Sequence, residues 1–176
     1  VEYAMQVEEN KIQKDQSIPL GDLNRFYWKN TDGGGHEAWL EAVKQDRGIQ
    51  NNEVTLHDVA KGMITYSSNA NTDYLINLLG VDAINKRKTE SGLTQHEEVY
   101  PIVSALFIPD AIRKDGMSEK ELINALQKMS MEDYRTLAQS ISLQMKTGEI
   151  NAIETTFDLS PAVQRVWSDR LIGASA

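Results

Sequence analysis

The sequence predicts a mainly α-helical fold, and three observations support this prediction. Apolar residues recur three or four positions apart, as on one face of a helix, in several segments of the chain. Residues that start helices, such as Thr55 and Ser118, stand directly before two of these segments. Strand-like patterns are limited to residues 17–20 and 25–28, which we interpret as short strands or extended loop. The core should therefore lie between helices.

In the first part of the chain, helices are predicted over residues 1–12, 37–44, 55–66, 70–79 and 82–89. The helix over residues 55–66 carries a single apolar stripe and has Thr55 as its N-cap. The Ser-Ser-Asn sequence at 67–69 favours a turn, because short polar side chains hydrogen-bond to the main chain nearby. Gly80 and Gly92 are suited to end the next two helices.

In the second part, helices are predicted over residues 118–129, 131–145 and Pro161–Ile172. Ser118 and Glu121 form a capping box, S-x-x-E, at the start of the first. Gly148 is the expected end of the second helix. Ser160 and Pro161 supply an N-cap and a first-turn proline for the third.

Length and composition indicate one helical domain over residues 1–176, with long loops at 13–35 and 149–159. The net charge of −8 argues against a nucleic-acid binder, since phosphates would be repelled. No apolar run approaches the roughly 18–20 residues of a membrane span. The absence of cysteine excludes disulfides and thiolate nucleophiles. The three histidines are not spaced as metal ligands, so no metal or cofactor is expected.

The most informative segment is the helix–turn–helix around Ser67-Ser68-Asn69. An amphipathic helix, a tight S-x-N turn and a second helix with a small polar start follow one another over residues 55–75. This arrangement resembles the second signature, S-D-N or S-x-N, of class A β-lactamases and penicillin-binding proteins, which are serine hydrolases. Residues 78–93 also resemble the family's next helix and its glycine-ended turn.

The resemblance implies acyl transfer from a β-lactam or a D-Ala-D-Ala-type peptide to a serine nucleophile. It implies that Ser67 passes a proton to the departing amine, and that Asn69 holds the acylamide carbonyl of the substrate and steadies a catalytic lysine. Thr72 and Asp73 would support the turn and the start of the next helix. The resemblance requires no cofactor, and it implies an extracytoplasmic or secreted bacterial protein.

Two departures bear on the activity within that family. Ser68 stands where class A β-lactamases usually carry Asp, which favours penicillin-binding proteins or atypical relatives. Glu97 and Glu98 lie where class A enzymes place a deacylating Glu, but the flanking residues do not match E-x-x-L-N. We interpret Glu97 and Glu98 as solvated loop carboxylates. We therefore expect slow deacylation in the intact enzyme.

The other two family signatures are not found in their expected form. No serine in the chain has a lysine three positions later, so S-x-x-K is absent. Because residues 1–12 read as helix interior without a cap, we expect S-x-x-K to lie just upstream of Val1. Lys146-Thr147-Gly148 matches the letters of K-T-G, but it closes a helical pattern, which favours a helix terminus over a catalytic strand.

The chain is thus predicted to be the helical lobe of an α+β, β-lactamase/transpeptidase-like fold, with the antiparallel sheet lobe largely absent. It would form part of the active-site wall and should be inactive alone, for lack of the nucleophile. Its substrate would be a β-lactam or a peptidoglycan-like peptide, and its partner the missing sheet lobe of the same protein. The glycine-rich residues 30–35 fit no phosphate-binding motif, and we expect a flexible loop at the rim of the active site.

The alternative hypothesis is a stand-alone acidic helical domain without enzymatic activity, which binds a partner helix in a groove. The hydrolase hypothesis predicts that the Ser67 and Asn69 side chains face out of the helical core. It also predicts a broad exposed apolar surface where the sheet would pack, and chain ends that lie near each other. The binding-domain hypothesis predicts an ordinary connecting turn and a closed apolar surface.

Overall fold

A computed structural model describes residues 1–46, 48–93, 95–152 and 160–172. Its helices and strands, in chain order, are α1 (Glu2–Glu8), β1 (Ser17–Pro19), α2 (Leu20–Asn24), α3 (Gly35–Gln45), β2 (Glu53–Thr55), α4 (Leu56–Tyr66), α5 (Asn69–Leu79), α6 (Val81–Glu90), α7 (Ile102–Ala105), α8 (Ile108–Ile112), α9 (Glu119–Lys128), α10 (Met131–Thr147) and α11 (Pro161–Ile172). The predicted mainly α-helical fold is confirmed. No helix in the described part of the chain is both long and apolar enough to cross a membrane.

Helix ends with a local sequence signal lie close to where that signal placed them. The Thr55 side chain accepts the Asp58 N–H at 3.1 Å and begins α4. Ser118 and Glu121 form both hydrogen bonds of the capping box that starts α9. Gly148 ends α10 in the left-handed conformation, with φ of 83°. These ends depend on contacts within one helical turn, which is why the sequence predicts them.

The predictions for the segments before α3 need correction. The first helix ends at Glu8 rather than at residue 12, and Asn10 has a positive φ of 56°. Residues 25–28 are not a strand, because the Phe26 and Tyr27 N–H groups bond back to carbonyls of α2. The predicted loop 13–35 is interrupted by β1 and α2. Of the predicted loop 149–159, residues 153–159 lie outside the described residues.

The two strands form an antiparallel pair in which Ile18 lies opposite Val54. Both side chains are buried, so the pair is part of the core. The strand Glu53–Thr55 was not predicted, because its pairing partner is more than thirty residues away in the sequence. The pair places Thr55, the N-cap of α4, at the start of the helix that leads into the S-x-N turn.

Helices α7 and α8 were also not predicted. Residues 103–109 are buried without interruption, so no polar face marks a helical period in this segment. Periodicity can reveal a helix only when one face is exposed. The two helices are four and five residues long, which leaves few positions for any pattern.

The core consists of two hydrophobic clusters that share α5. One cluster is built around Trp39, Leu56, Val59 and Leu75, and the other around residues of α7 to α11 such as Phe107, Leu122, Tyr134 and Met145. Tyr74 on α5 packs against both clusters. Helix α5 contacts α1 to α4 as well as α6 and α7. Helix α5, which begins at the S-x-N turn, is therefore held from several sides.

Candidate active site

The S-x-N turn, which comprises Ser67, Ser68 and Asn69, joins α4 directly to α5. Ser67 is the C-cap of α4 and has left-handed backbone angles, φ 55° and ψ 33°. Ser68 is extended and is the N-cap of α5. A left-handed conformation is uncommon for a residue other than glycine, and such residues cluster at active sites and ligand clamps.

Ser67 presents its side chain to solvent. The residue is exposed, and its Oγ has no hydrogen-bond partner among the described residues. A hydroxyl both donates and accepts, so it can take up a proton on one side and release one on the other. The predicted outward orientation of Ser67 agrees with this placement.

Asn69 is half-buried and is held by residues 31 and 32. Its side-chain Nδ2 donates to the Thr31 carbonyl at 3.1 Å. Its main-chain N–H donates to Asp32 Oδ2 at 3.3 Å. The amide oxygen accepts no hydrogen bond from the described residues, so it can still accept one from a ligand.

Ser68 points into the protein and is fully buried. Its Oγ accepts the Asn71 N–H at 3.3 Å, which caps α5, and lies 3.0 Å from His36 Nδ1. The middle residue of the turn thus has a structural role, while its two neighbours lie nearer the surface.

His36 is a buried residue that the sequence does not identify as part of this site. Its ring stacks on Tyr27 with ring centroids 4.5 Å apart and lies 5.3 Å from the Trp39 ring. Burial lowers the pKa of His36 from its ordinary value, although the nearby carboxylates of Asp32 and Glu37 act in the opposite direction. The folded protein therefore favours neutral imidazole.

Acidification should destabilise the protein through His36. The unfolded chain binds this proton more readily than the folded protein does, so the free energy of unfolding should fall as the pH drops below about 6.5. The slope from this one group is at most about 1.4 kcal/mol per pH unit. Urea unfolding between pH 5 and 8 should show a weaker slope in His36→Phe, which keeps an aromatic ring, than in the wild type.

His57→Gln is the matched control for this measurement. His57 lies exposed in the first turn of α4, and its replacement should leave the slope unchanged. An equal slope in His36→Phe and the wild type would contradict the assignment of this pH dependence to His36.

The structure separates the roles of Thr72 and Asp73. Thr72 Oγ1 donates to the Ser68 carbonyl at 2.8 Å and so supports the turn, as predicted. The prediction for Asp73 is wrong, because this residue caps a different helix. Its buried carboxylate accepts the N–H groups of residues 102, 103 and 104 at the start of α7, at 2.6, 2.9 and 3.3 Å.

Asp73 is placed by tertiary structure, since α7 begins about thirty residues later in the sequence. Burial raises the pKa of Asp73 to about 7, while the N–H donors of α7 act in the opposite direction. The residue thus links α5 to α7 and lies beneath the turn rather than in it.

Other sequence candidates lie away from the turn. Lys146 and Thr147 are the last residues of α10 and Gly148 is its cap, which confirms a helix terminus rather than a K-T-G strand. Glu97 and Glu98 are exposed, and each forms an ion pair with Arg135, at 3.0 and 3.3 Å. Their interpretation as solvated loop carboxylates agrees with this arrangement.

Thr31 and Asp32 belong to the site, although the sequence analysis did not name them individually. It predicted that the glycine-rich loop lies at the rim of the active site, and the loop does contact the turn. An Asp followed by glycines and a helix is a signal for a capping residue. The contact of Asp32 with the start of α5 has no local signal in the sequence, because it joins positions 37 residues apart.

The hydrolase hypothesis predicted a broad exposed apolar surface, and the described residues do not form one. Their exposed large hydrophobic side chains are Val1, Ile64, Leu93, Val99 and Leu143, which are spread over α4, α10, the first residue and the segment between α6 and α7. The hydrolase hypothesis also predicted that the two chain ends lie near each other. This prediction involves residues 173–176, which lie outside the described residues.

Comparison with known families identifies the family to which the chain belongs. A family model described as the beta-lactamase enzyme family matches residues 1–158. The chain belongs to this family of β-lactamase-like serine hydrolases. The fold expected from the resemblance, a mainly α part of a β-lactamase-like fold, is thereby confirmed. No curated protein and no solved structure gives a significant match to the chain.

Proposed function

We propose that this chain forms one wall of the active site of a serine hydrolase that acts on a β-lactam or a D-Ala-D-Ala-type peptide. Ser67 is the proton relay and Asn69 anchors the amide of the substrate. The observation that carries the proposal is the exposed, unengaged hydroxyl of Ser67, held in a left-handed conformation beside a fixed carboxamide.

The chemistry assigns a bond change and a proton path to these groups. A serine nucleophile attacks the carbonyl carbon, and its proton passes to a lysine that acts as base. As the C–N bond breaks, Ser67 gives its hydroxyl proton to the amine nitrogen and takes one from the lysine. The second hydrogen of Asn69 Nδ2, which the Thr31 carbonyl does not use, donates to the acylamide carbonyl of the substrate and aligns the reacting bond.

The nucleophile and the lysine are not among the 176 residues, because no serine has a lysine three positions later. We propose that another part of the natural protein supplies them, together with the sheet lobe, and that this chain alone is catalytically incompetent. Incubation of the isolated chain with a labelled penicillin should give no covalent adduct by mass spectrometry. A stable adduct would overturn this part of the proposal.

Replacement of Ser67 tests the proposed proton relay in the natural protein that contains this chain. Ser67→Ala should lower kcat on a chromogenic cephalosporin by about 10²–10⁴-fold, the usual contribution of a general acid. Asn69→Ala should chiefly raise KM, because it removes binding of the substrate amide.

Ser140→Ala is the matched control, since Ser140 is exposed on α10 and its side chain forms no hydrogen bond with the described residues. Its kcat and KM should equal those of the wild type. Equal activity of Ser67→Ala and Ser140→Ala would exclude Ser67 as the relay.

A stand-alone helical binding domain is the second candidate. The few, widely spread exposed hydrophobic side chains favour it, because they match a closed apolar surface better than an open one. Family membership and the exposed Ser67 favour the hydrolase. Activity that depends on Ser67 decides for the hydrolase, and a natural protein without acyl-transfer activity decides for the binding domain.

A further inference from the structure

We propose that Asp32 and His36 are positioning residues that set the geometry of the S-x-N turn. This inference rests on the proposed function, because it assigns them to the site that contains Ser67 and Asn69. The two residues lie more than thirty positions before the turn in the sequence, and they contact it through separate hydrogen bonds.

Asp32 connects the N-termini of two helices with one carboxylate. Oδ1 accepts the Gly34 N–H at 3.2 Å, and Oδ2 accepts the His36 N–H, also at 3.2 Å, at the start of α3. The same Oδ2 accepts the Asn69 N–H at 3.3 Å, at the start of α5. A negative charge is favourable at both positive helix ends. The carboxylate therefore fixes the first residue of α5 relative to α3.

The neighbouring residue Thr31 fixes the Asn69 side chain. Its carbonyl accepts an N–H of the Asn69 side-chain amide, while Asp32 accepts the main-chain N–H of the same residue. Both the position and the orientation of the Asn69 carboxamide thus depend on residues 31 and 32. Loss of the Asp32 carboxylate releases the main-chain N–H and leaves the side chain with a single contact.

His36 holds the turn from the inside. Ser68 Oγ accepts the Asn71 N–H and also lies within hydrogen-bond distance of His36 Nδ1, at 3.0 Å. The stacking of the ring on Tyr27 and the hydrogen bond from the Tyr27 hydroxyl to Glu37 keep the imidazole in place. Ser67 and Asn69 flank Ser68 directly, so the His36–Ser68 contact limits how far either can move.

Amide hydrogen exchange on this chain tests the inference without reference to activity. In Asp32→Ala, exchange of the Asn69, Gly34 and His36 N–H groups should accelerate by about tenfold or more, because their acceptor is lost. Exchange of the Asn71 N–H, which depends on Ser68, and of the α10 amides should stay as in the wild type. Asp15→Ala, at an exposed position without a hydrogen bond to its side chain, is the matched control.

Asp32→Asn is the conservative variant, because it keeps one acceptor oxygen and should restore part of the protection at Asn69. Two outcomes overturn the inference. One is unchanged exchange at Asn69 in Asp32→Ala. The other is a uniform acceleration across α5 and α10, which would mean that Asp32 contributes only to global stability.

Kinetics of the natural protein separate this inference from the proposed function. Asp32→Ala should raise KM for a chromogenic cephalosporin about tenfold, with a smaller change in kcat, because Asp32 contacts Asn69 and not Ser67. His36→Phe releases Ser68, which lies between both groups, and should raise KM and lower kcat. An unchanged KM would overturn positioning of the substrate anchor. If Ser67→Ala has no effect while exchange at Asn69 still responds to Asp32→Ala, the proposed function fails and the structural link between loop and turn stands.

Discussion

Asp73→Ala is expected to lower the free energy of unfolding by about 3 kcal/mol or more, because three main-chain N–H groups lose their buried acceptor. The Asp73 carboxylate is fully buried and accepts the first three N–H groups of α7. Alanine leaves these donors without an acceptor in the core, where each unpaired group costs about 1–3 kcal/mol. Urea unfolding monitored by circular dichroism measures the difference.

The size of this effect should depend on pH. The pKa of Asp73 is raised from 3.8 to about 7 in the folded protein. Between these two pH values the folded protein keeps the Asp73 proton, whereas the unfolded chain has lost it. Stability contributed by this group is therefore largest at low pH and falls as the pH rises from about 4 to about 7. The difference between wild type and Asp73→Ala should be larger at pH 5 than at pH 8.

Asp15→Ala controls for the removal of a carboxylate, because Asp15 is exposed and outside the regular elements. Its replacement should change the free energy of unfolding by less than about 0.5 kcal/mol. A loss of similar size in both variants would show that general charge, rather than capping of α7, explains the result.

Gly35→Ala is the second substitution with a large expected effect. A Cβ atom at residue 35 would lie 2.2 Å from the main-chain oxygen of Tyr66. The obstacle is main chain, so α3 and the end of α4 must move apart, and we expect a loss of about 3 kcal/mol. Denaturant unfolding measures this loss directly.

The same displacement should affect the candidate active site, because Tyr66 immediately precedes Ser67. If the proposed function is correct, kcat/KM of the natural protein should fall by about 10²-fold, as for a misplacement of roughly 1 Å at a catalytic group. Gly21→Ala is the matched control, since Gly21 lies in α2 with no atom near the added Cβ. It should be neutral or stabilising by up to about 1 kcal/mol, and an equally neutral Gly35→Ala would refute the close contact.

The S-x-N turn illustrates what can be predicted from local sequence. The caps at Thr55 and Gly148, the capping box at Ser118 and the turn between α4 and α5 all depend on residues within one or two helical turns. Their hydrogen bonds form between neighbours in the chain, so residue type and spacing contain the necessary information. The roles of Ser67 and Asn69 came from resemblance and stay predictions.

The residues that hold this turn could not be found in the same way. Asp32 contacts Asn69 across 37 positions, and His36 contacts Ser68 across 32 positions. Asp73 reaches α7 across about thirty positions, and the partner of β1 is equally distant. Periodicity and capping rules describe one element at a time and do not say which elements meet.

Local sequence was thus sufficient for the mainly helical class, for most helix ends and for the place of the turn, because short-range hydrogen bonds and apolar spacing govern them. Tertiary packing alone decided that the glycine-rich loop reaches Asn69, that His36 is buried with a lowered pKa, and that Asp73 caps α7. These contacts join groups that become neighbours only when the core around α5 closes and removes water from them.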